Sequence, residues 1–429
     1  MGPNRHKKMV SLENAAHNSA KRVARGKRRN RYRSLCRVLQ AQRRERLKIG
    51  IIRRRYTPYG GAEVFLTRFI DELVRQGHSV EIFSTGWPSS KGVTLHSITQ
   101  FGPAFLRPLI FAFFAERAVK KAAPDVVISL ERTACQEIFR AGDGVHKEWL
   151  QKKKKASGIF KRALIALSPL HWTILHLEKR LFASPALKTV VANSLMVKKD
   201  IIRHYGLPEK KICVIYNGIS RTHALEGAEF NKARRHVRNA LKAGDNETLI
   251  LFVGSGFERK GLLYLIRAIA ILCSGGKAVK LLVVGKGNIR RYVNEARRLN
   301  IADHVIFNGP TTDVRQFYAG ADIFCLPSIY EPFSNACLEA FAHGLAVITT
   351  NANGASEIIN AGVDGAVIQN PEDHKAVAEA IKPFLETARR EKAAESAKNT
   401  ALKYPIEDTV NGFLKLIGAC KEKKDGKIP

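Results

Sequence analysis

Two glutamates eight positions apart, Glu331 and Glu339, are the side chains of this 429-residue sequence whose type and spacing could do chemistry. Between them stand Ser334, Asn335 and Ala336, where a helix is expected to begin with Ser334 as its N-cap. Helix-start amides attract phosphate, and carboxylates accept hydrogen bonds from vicinal hydroxyls. The pattern therefore predicts a site for a ligand with phosphate in its middle and hydroxyls at both ends, the shape of a nucleotide sugar. The alternative is a loop acid and a helix-surface acid that share this spacing by chance.

A glycine-rich turn with two cations precedes this segment. Gly254 opens the run Gly-Ser-Gly-Phe-Glu-Arg-Lys-Gly after a predicted strand, and Arg259 and Lys260 stand where the next helix begins. Small residues let backbone amides approach a phosphate, and the two cations could neutralise its charge. A solvated basic turn is the alternative. Gly285, in a Gly-Lys-Gly turn after the following strand, could admit a base or ribose, although such turns are common at strand ends.

Strands and helices must position these residues, and the hydrophobic pattern of the sequence predicts two groups of them. Short apolar runs alternate with amphipathic stretches, as is typical of parallel strands covered on both faces. Strands are expected at 47–52, 80–83, 126–129, 189–192, 212–215, 249–253, 280–284, 305–307, 323–326 and 346–349. The sequence therefore predicts an α/β fold with two Rossmann-like, doubly wound parallel-sheet domains that face a cleft. We place these domains at 47–219 and 220–405, followed by a helix at 406–429 that packs back toward the first domain.

The net charge of +34 is concentrated in the N-terminal half. Residues 1–48 hold 16 basic residues against 2 acidic ones, and residues 49–220 hold 27 against 13. Such a surface should face lipid headgroups, a phosphorylated glycolipid or nucleic acid. Within it, residues 146–182 join a lysine run to an aromatic-bearing amphipathic stretch, which predicts a segment that lies in an anionic membrane interface. A core helix behind a solvated lysine run is the alternative.

Export and membrane spanning are not expected. Residues 1–46 lack the apolar core of a signal peptide, and no stretch reaches the roughly 20 apolar residues of a membrane span. The seven cysteines are scattered without a Cys-x-x-Cys pair, which argues against disulfides or zinc and favours a cytoplasmic protein. Residues 1–46 are either a disordered basic arm or an upstream extension of a domain that begins near Leu47.

From about Lys48 to about Gly418 the sequence resembles the retaining glycosyltransferases of family 4, which have the GT-B fold. The resemblance rests on the Glu331 to Glu339 spacing, on Arg259 and Lys260 upstream, on the Gly-Lys-Gly turn and on residues 321–328. Three further matches make the sequence most similar to the glucosyltransferases of the lipopolysaccharide core. They are Tyr59-Gly60-Gly61, Ala141-Gly142-Asp143 with the basic segment after it, and Val253-Gly254-Ser255 through Phe257-x-Arg259-Lys260-Gly261. Residues 332–335 match the broad family better than this subgroup.

The resemblance implies a role for each matching residue. Glu331 would contact hydroxyls of the transferred sugar, Glu339 the ribose, and Arg259 and Lys260 the diphosphate. The donor site, in the second domain, would be completed by Gly254, Gly285, Ser334, Asn335 and Ala336. Gly60 and Gly61 would let the first, acceptor-binding domain approach the phosphates. Asp143 would lie near the reacting centre beside the acceptor, although Gly-Asp-Gly is also a plain turn.

The resemblance also implies the reaction. A hexose, glucose on UDP in this subgroup, would pass to a lipopolysaccharide core or related glycolipid at the inner face of the cytoplasmic membrane. The alternative is another hexosyltransferase of family 4, with a mannose or N-acetylhexosamine donor, that builds a cell-surface polysaccharide. Since the sequence has no Asp-x-Asp pair, catalysis would rest on stabilising the leaving diphosphate, without a metal or other cofactor.

Three other functions compete with sugar transfer. A basic nucleic-acid-binding protein would explain the charge, but the recognisable nucleic-acid modules are missing, so no nucleic-acid partner is expected. A dinucleotide oxidoreductase would need the fingerprint Gly-x-Gly-x-x-Gly, which is absent from both halves. A sugar-nucleotide epimerase on the same fold would consume the donor without needing an acceptor.

Overall fold

The computed structural model describes residues 46–56, 61–88, 91–155, 157–244 and 246–424. Gly60 and nearly all of the basic segment 1–46 lie outside these residues, so the expectations for them stay predictions. The described chain forms two parallel sheets, one in each half of the sequence.

The first sheet has seven strands in the order β3-β2-β1-β4-β5-β6-β7, all parallel. Its central strands are buried along nearly their whole length, which explains their continuous apolar runs. The strands are β1 (Lys48–Ile52), β2 (Ser79–Ser84), β3 (Val93–Ser97), β4 (Val126–Ser129), β5 (Ile138–Arg140), β6 (Thr189–Ala192) and β7 (Ile212–Val214). The helices are α1 (Gly61–Arg75), α2 (Arg107–Ala122), α3 (His146–Lys155), α4 (Ile159–Ala166), α5 (Pro169–Phe182) and α6 (Leu195–Tyr205).

The second sheet has six parallel strands in the order β10-β9-β8-β11-β12-β13. Its strands are β8 (Thr248–Val253), β9 (Val279–Val284), β10 (Val305–Gly309), β11 (Ile323–Leu326), β12 (Ala346–Thr350) and β13 (Gly365–Ile368). The helices are α7 (Gly227–Ala240), α8 (Leu262–Ser274), α9 (Arg290–Arg298), α10 (Arg315–Gly320), α11 (Asn335–Ala342), α12 (His374–Ile381), α13 (Thr387–Leu402) and α14 (Ile406–Lys424). One large apolar core, which includes Phe252, Leu265 and Phe324, joins this sheet to its helices.

The two halves meet where the chain passes between them. Ile219 and Pro405 form a parallel bridge, so the outgoing and returning segments lie side by side. Beyond this bridge α14 returns to the first half, where the ring of Phe413 packs against Phe65 and Phe69 at centroid distances of 5.4 Å each. The predicted fold class, two doubly wound α/β domains, is confirmed by the sheets.

Each sheet reverses its strand order between two central strands, β1 and β4 in the first and β8 and β11 in the second. At such a switch point the loops after neighbouring strands run in opposite directions and leave a crevice at the carboxyl edge. Arg259 follows β8 and Glu331 follows β11, so both lie at the crevice of the second domain.

Candidate active site

Glu331 is the centre of a buried charge cluster. The Nη1 atom of Arg259 lies 2.9 Å from its Oε2, and the Nζ atom of Lys260 lies 3.0 Å from the same oxygen. Burial alone would raise the pKa of Glu331, but Lys260 and Arg259 together hold it below its ordinary value. The carboxyl group is therefore ionised at neutral pH, and two cations against one anion leave this cluster with a net positive charge.

The loop at residues 254–261, called here the cation loop because it carries Arg259 and Lys260, can fold tightly because it contains glycines. A Cβ on Gly254, whose φ is +145°, would lie 2.6 Å from both Cδ and Cε of Lys260. A Cβ on Gly285 would lie 2.2 Å from the carbonyl oxygen of Gly254. The position of the missing Cβ is thus taken by the protein at both glycines, since Lys260 packs over Gly254 and Gly254 packs against Gly285. The approach of a ligand to their backbone stays a prediction.

The backbone of Glu331 is clamped by the segment after β12. Its N–H donates to the carbonyl of Ala352, and its carbonyl accepts from the N–H of Gly354, both at 2.9 Å. A Cβ on Gly354 would lie 2.0 Å from the carbonyl oxygen of Pro332, so only glycine permits this approach. These two hydrogen bonds fix the direction in which the side chain of Glu331 points from its loop.

Ser334 occupies the N-cap position of α11, but its side chain makes no capping hydrogen bond, contrary to the expectation. The Oδ1 atom of Asn353 accepts from the N–H of Ser334 itself at 3.2 Å. The N–H of Cys337 is also used, since it donates to the carbonyl of Ser334. Asn335 and Ala336 are the first two residues of α11, directly after Ser334. The Asn335 side chain also accepts from Nδ2 of Asn217 at 2.7 Å, a contact with the first domain.

Glu339 is held from behind by a buried tyrosine. The hydroxyl of Tyr318 donates to Oε2 of Glu339 at 2.8 Å, and the ring of Tyr318 stacks on His343 at 5.1 Å. Glu339 itself is only partly buried. One carboxylate oxygen of Glu339 is thus held by Tyr318, while the side chain stays partly accessible to solvent.

Tyr330, the residue before Glu331, connects the two domains. Its hydroxyl accepts from the N–H of Val145 and donates to Oδ2 of Asp200, both at 3.0 Å. A Cβ on Gly144 would lie 2.6 Å from this hydroxyl. The loop that contains Asp143 therefore lies against the loop that contains Glu331.

Asp143 itself is exposed on that loop, after β5. Burial is the main cause of the raised pKa of Glu131, and the charge of Asp143 adds to it. The pKa of Arg132 is raised against burial by Glu178 and then by Asp143. Gly61, the other glycine assigned to the first domain, is the first residue of α1 and follows β1. The first domain thus presents Asp143 at the interface on which the second domain presents Glu331.

A second connection fixes the domains and was missed from the sequence. Glu357, from a short helix after β12, accepts from the N–H groups of Leu195 and Met196 at 2.8 and 2.7 Å and from the hydroxyl of Tyr216 at 2.9 Å. A carboxylate of one domain therefore caps helix α6 of the other. No spacing rule could reveal this, because the pairing depends on how the domains are oriented.

The part of the chain that the structure describes contains neither a metal-binding cluster nor a membrane-spanning helix. No group of three or more His, Cys, Asp and Glu side chains there could hold a metal ion. None of its helices is both long and apolar enough to cross a bilayer.

Comparison with protein families matches both domains. The family described as Glycosyltransferase Family 4 matches residues 59–223, and the family described as Glycosyl transferases group 1 matches residues 233–401. These two segments contain β8 and β11, which flank the switch point of the second sheet, and every candidate site residue described above, while β1 precedes the first segment. The chain is a GT-B glycosyltransferase.

Curated and solved relatives of this glycosyltransferase agree with that assignment. The uncharacterized glycosyltransferase MJ1607 of Methanocaldococcus jannaschii is 28% identical over 346 residues, which are 76% of this chain and 86% of the relative. The lipopolysaccharide glucosyltransferase WaaG of Escherichia coli K12 is 24% identical over 81% of this chain and 92% of its own. The crystal structure of WaaG superimposes with a TM-score of 0.75 at 21% identity, covering 86% of this chain and 99% of that one. Anabaena Alr3699/HepE, solved in complex with UDP and glucose, gives a TM-score of 0.66 at 18% identity, over 87% of this chain and 99% of its own.

Proposed function

We propose that this glycosyltransferase moves glucose from UDP-glucose, with retention of configuration, to a lipopolysaccharide core or related glycolipid. The observation that carries the proposal is the buried Glu331 between Arg259 and Lys260. The name of WaaG supports the sugar and the acceptor class, and the UDP and glucose in the HepE structure support the donor.

The donor would lie along the carboxyl edge of the second sheet. The net positive charge of the Glu331 cluster would attract the diphosphate, and the start of α11 would add backbone donors. Glu339, fixed by Tyr318, would accept hydrogen bonds from the ribose hydroxyls. Glu331 would accept from hydroxyls of the sugar, with the cations holding it ionised and therefore able to accept only.

In the proposed reaction the acceptor hydroxyl oxygen bonds to the anomeric carbon on the face from which the diphosphate leaves. The bond from that carbon to the diphosphate oxygen breaks, and the hydroxyl proton passes to the leaving diphosphate. Arg259 and Lys260 stabilise the charge that develops there, an effect worth about 10² to 10³ in kcat for one positioned donor. Asp143 would orient the acceptor hydroxyl from across the domain interface.

The test is a transfer assay with a panel of UDP-, GDP- and ADP-linked hexoses and a lipopolysaccharide core acceptor. We expect transfer from UDP-glucose, and a fall of at least about 100-fold in kcat/KM for Glu331→Gln. Glu258→Gln is the matched control, because Glu258 is in the same cation loop but pairs with Lys161 at the surface. Equal kinetics of Glu331→Gln and the wild type would contradict the site assignment, and no transfer from any donor would contradict the function.

The proposed glycolipid acceptor requires access to a membrane, and α4 with its flanks offers an apolar surface for it. Five large apolar side chains are exposed there, by 58% to 87%: Ile159, Phe160, Leu164, Leu167 and Trp172. Helix α3 ends directly before them in Lys152–Lys155. Apolar side chains beside a lysine run have the chemistry of a surface that inserts among anionic headgroups. We infer that the protein lies on the cytoplasmic face of the membrane through this surface.

Vesicle co-sedimentation tests the membrane surface. The wild type should bind vesicles that contain phosphatidylglycerol and release them in high salt, and Phe160→Ser should weaken the binding several-fold. Phe113→Ser, which removes an exposed phenylalanine from α2, should bind like the wild type. Equal binding of both variants would refute this surface.

A further inference from the structure

Two histidines contact each other close to the acceptor side of the interface. His146 is the first residue of α3 and His171 lies in the first turn of α5. The Nε2 atom of His146 is 3.2 Å from the Nδ1 atom of His171, and the ring centroids are 5.1 Å apart. Both rings are partly exposed. His146 follows Asp143 by three residues, so the pair lies on the continuation of the loop that touches Tyr330.

The surroundings of this pair are cationic. Burial, followed by the charge of Arg132, lowers the pKa of His146 to about 4 against the opposing effect of Glu178. Burial and the charges of Lys153 and Lys154 lower the pKa of His171. At neutral pH both imidazoles are therefore uncharged, and one donates its N–H to the other.

The neighbouring carboxylate is already occupied by the protein. Glu178 accepts from Nε of Arg132 at 3.0 Å, from the N–H of His146 at 2.9 Å and from the hydroxyl of Tyr205 at 2.6 Å. Within the described ranges of the chain, no carboxylate lies within ion-pair distance of Lys153 or Lys154. Lys153 and Lys154 thus have no ion-pair partner there, although the charge of Lys153, after Lys161, helps to lower the pKa of Glu258 against the effect of burial.

We propose that His146, His171, Lys153 and Lys154 form a subsite for a phosphate group carried by the acceptor. This inference rests on the proposed function and names the acceptor chemistry that it left open. Phosphate accepts hydrogen bonds from imidazole and ammonium donors, and its charge favours the protonated rings. The donor diphosphate is assigned to Arg259 and Lys260 in the other domain, so the two anions have separate sites.

Phosphate at this subsite should be coupled to proton uptake. The groups that face the imidazoles are Arg132 after β4, Lys153 and Lys154 on α3, and Glu178 on α5. An added dianion outweighs the repulsion from these cations, so it raises the pKa of both rings. Binding of a phosphorylated acceptor should therefore strengthen as the pH falls below 6, toward the pKa of His146 at about 4.

The kinetic test compares a lipopolysaccharide core fragment before and after phosphatase treatment. In the wild type, removal of phosphate should raise the acceptor KM by about tenfold or more, the value of one charge-assisted hydrogen bond. His171→Gln should remove this difference without changing the donor KM. His176→Gln is the matched control, because His176 is exposed on the same helix, and it should keep the difference. Equal KM values for the two acceptors in the wild type would overturn the proposal, while transfer to both would leave the proposed function intact.

A second readout does not depend on activity. Inorganic phosphate added to the full chain should raise the pKa of His146 by at least about one unit. NMR of the histidine rings during this titration measures the pKa. The same titration with vesicles of phosphatidylcholine, with and without phosphatidic acid, tests a lipid headgroup as the source. A response to phosphatidic acid alone, or no response to either, would refute the acceptor assignment.

Discussion

Replacement of Gly254 by alanine tests the reason for the glycine turn. The new Cβ would lie 2.6 Å from Cδ and Cε of Lys260 and 2.9 Å from its Nζ, and none of these contacts is sterically possible. The Lys260 side chain must leave its position, where Nζ lies 3.0 Å from Glu331. Glu331 would then keep Arg259 as its partner from this loop.

The magnitude follows from what Lys260 is proposed to do. Loss of one positioned charge at the leaving diphosphate should reduce kcat/KM by about 10²-fold, or about 2.7 kcal/mol. Alanine at a φ of +145° also adds backbone strain of about 1–3 kcal/mol, which appears in the free energy of unfolding. Kinetics measured on the folded protein separate the two effects.

Steady-state kinetics of three variants form the assay. Gly254→Ala should match Lys260→Met in kcat/KM. Gly256→Ala is the control, because Gly256 has a φ of +77° but nothing within 4 Å of its Cβ position. It should stay within about threefold of the wild type. Wild-type kinetics of folded Gly254→Ala, together with impaired kinetics of Lys260→Met, would refute the claim that Lys260 needs a glycine at position 254.

Three more variants test other parts of the site. Tyr318→Phe removes the hydrogen bond to Glu339, so the donor KM should rise about three- to tenfold with kcat nearly unchanged; a change in kcat alone would contradict this role. Burial, then Glu148, raises the pKa of Asp200 to about 6. The folded state therefore binds the extra proton below pH 6, and the free energy of unfolding should lose about 1 kcal/mol between pH 5 and 7 from this group. In urea titrations at pH 5 and 7, Asp200→Asn should lack that loss in the free energy of unfolding. The same pH profile in the variant and the wild type would contradict the titration assigned to Asp200. Glu357→Gln should lower the free energy of unfolding by about 1–3 kcal/mol and speed proteolysis between the domains. Proteolysis at the wild-type rate would contradict the role of Glu357 in holding the two domains together.

The fold was predictable because its central strands are buried on both faces and read as continuous apolar runs. Three strands escaped prediction for physical reasons. β3 is an edge strand without a buried residue, and β5 has only three residues. β13 is also at an edge and is half-buried at its centre. Short or exposed strands produce no apolar run that stands out from loops.

The candidate site was predictable in part. Arg259, Lys260 and Glu331 follow two strands that turned out to be neighbours, and the carboxyl ends of neighbouring parallel strands share one edge. The contacts of Tyr330 and Glu357 could not be predicted, since each depends on the placement of one whole domain against the other. The glycines were found, but the close packing at Gly254 was not predicted, because the sequence does not show that Lys260 folds back over it.

Calorimetric titration with UDP measures donor binding by itself, because it needs neither acceptor nor turnover. The wild type should bind UDP, and a double substitution of Arg259 and Lys260 by methionine should weaken that binding by at least about 100-fold, or about 2.7 kcal/mol. Lys161→Met, which removes a lysine that pairs with the same loop outside the Glu331 cluster, should bind UDP like the wild type. Undiminished UDP binding by the double variant would contradict the placement of the donor at Glu331.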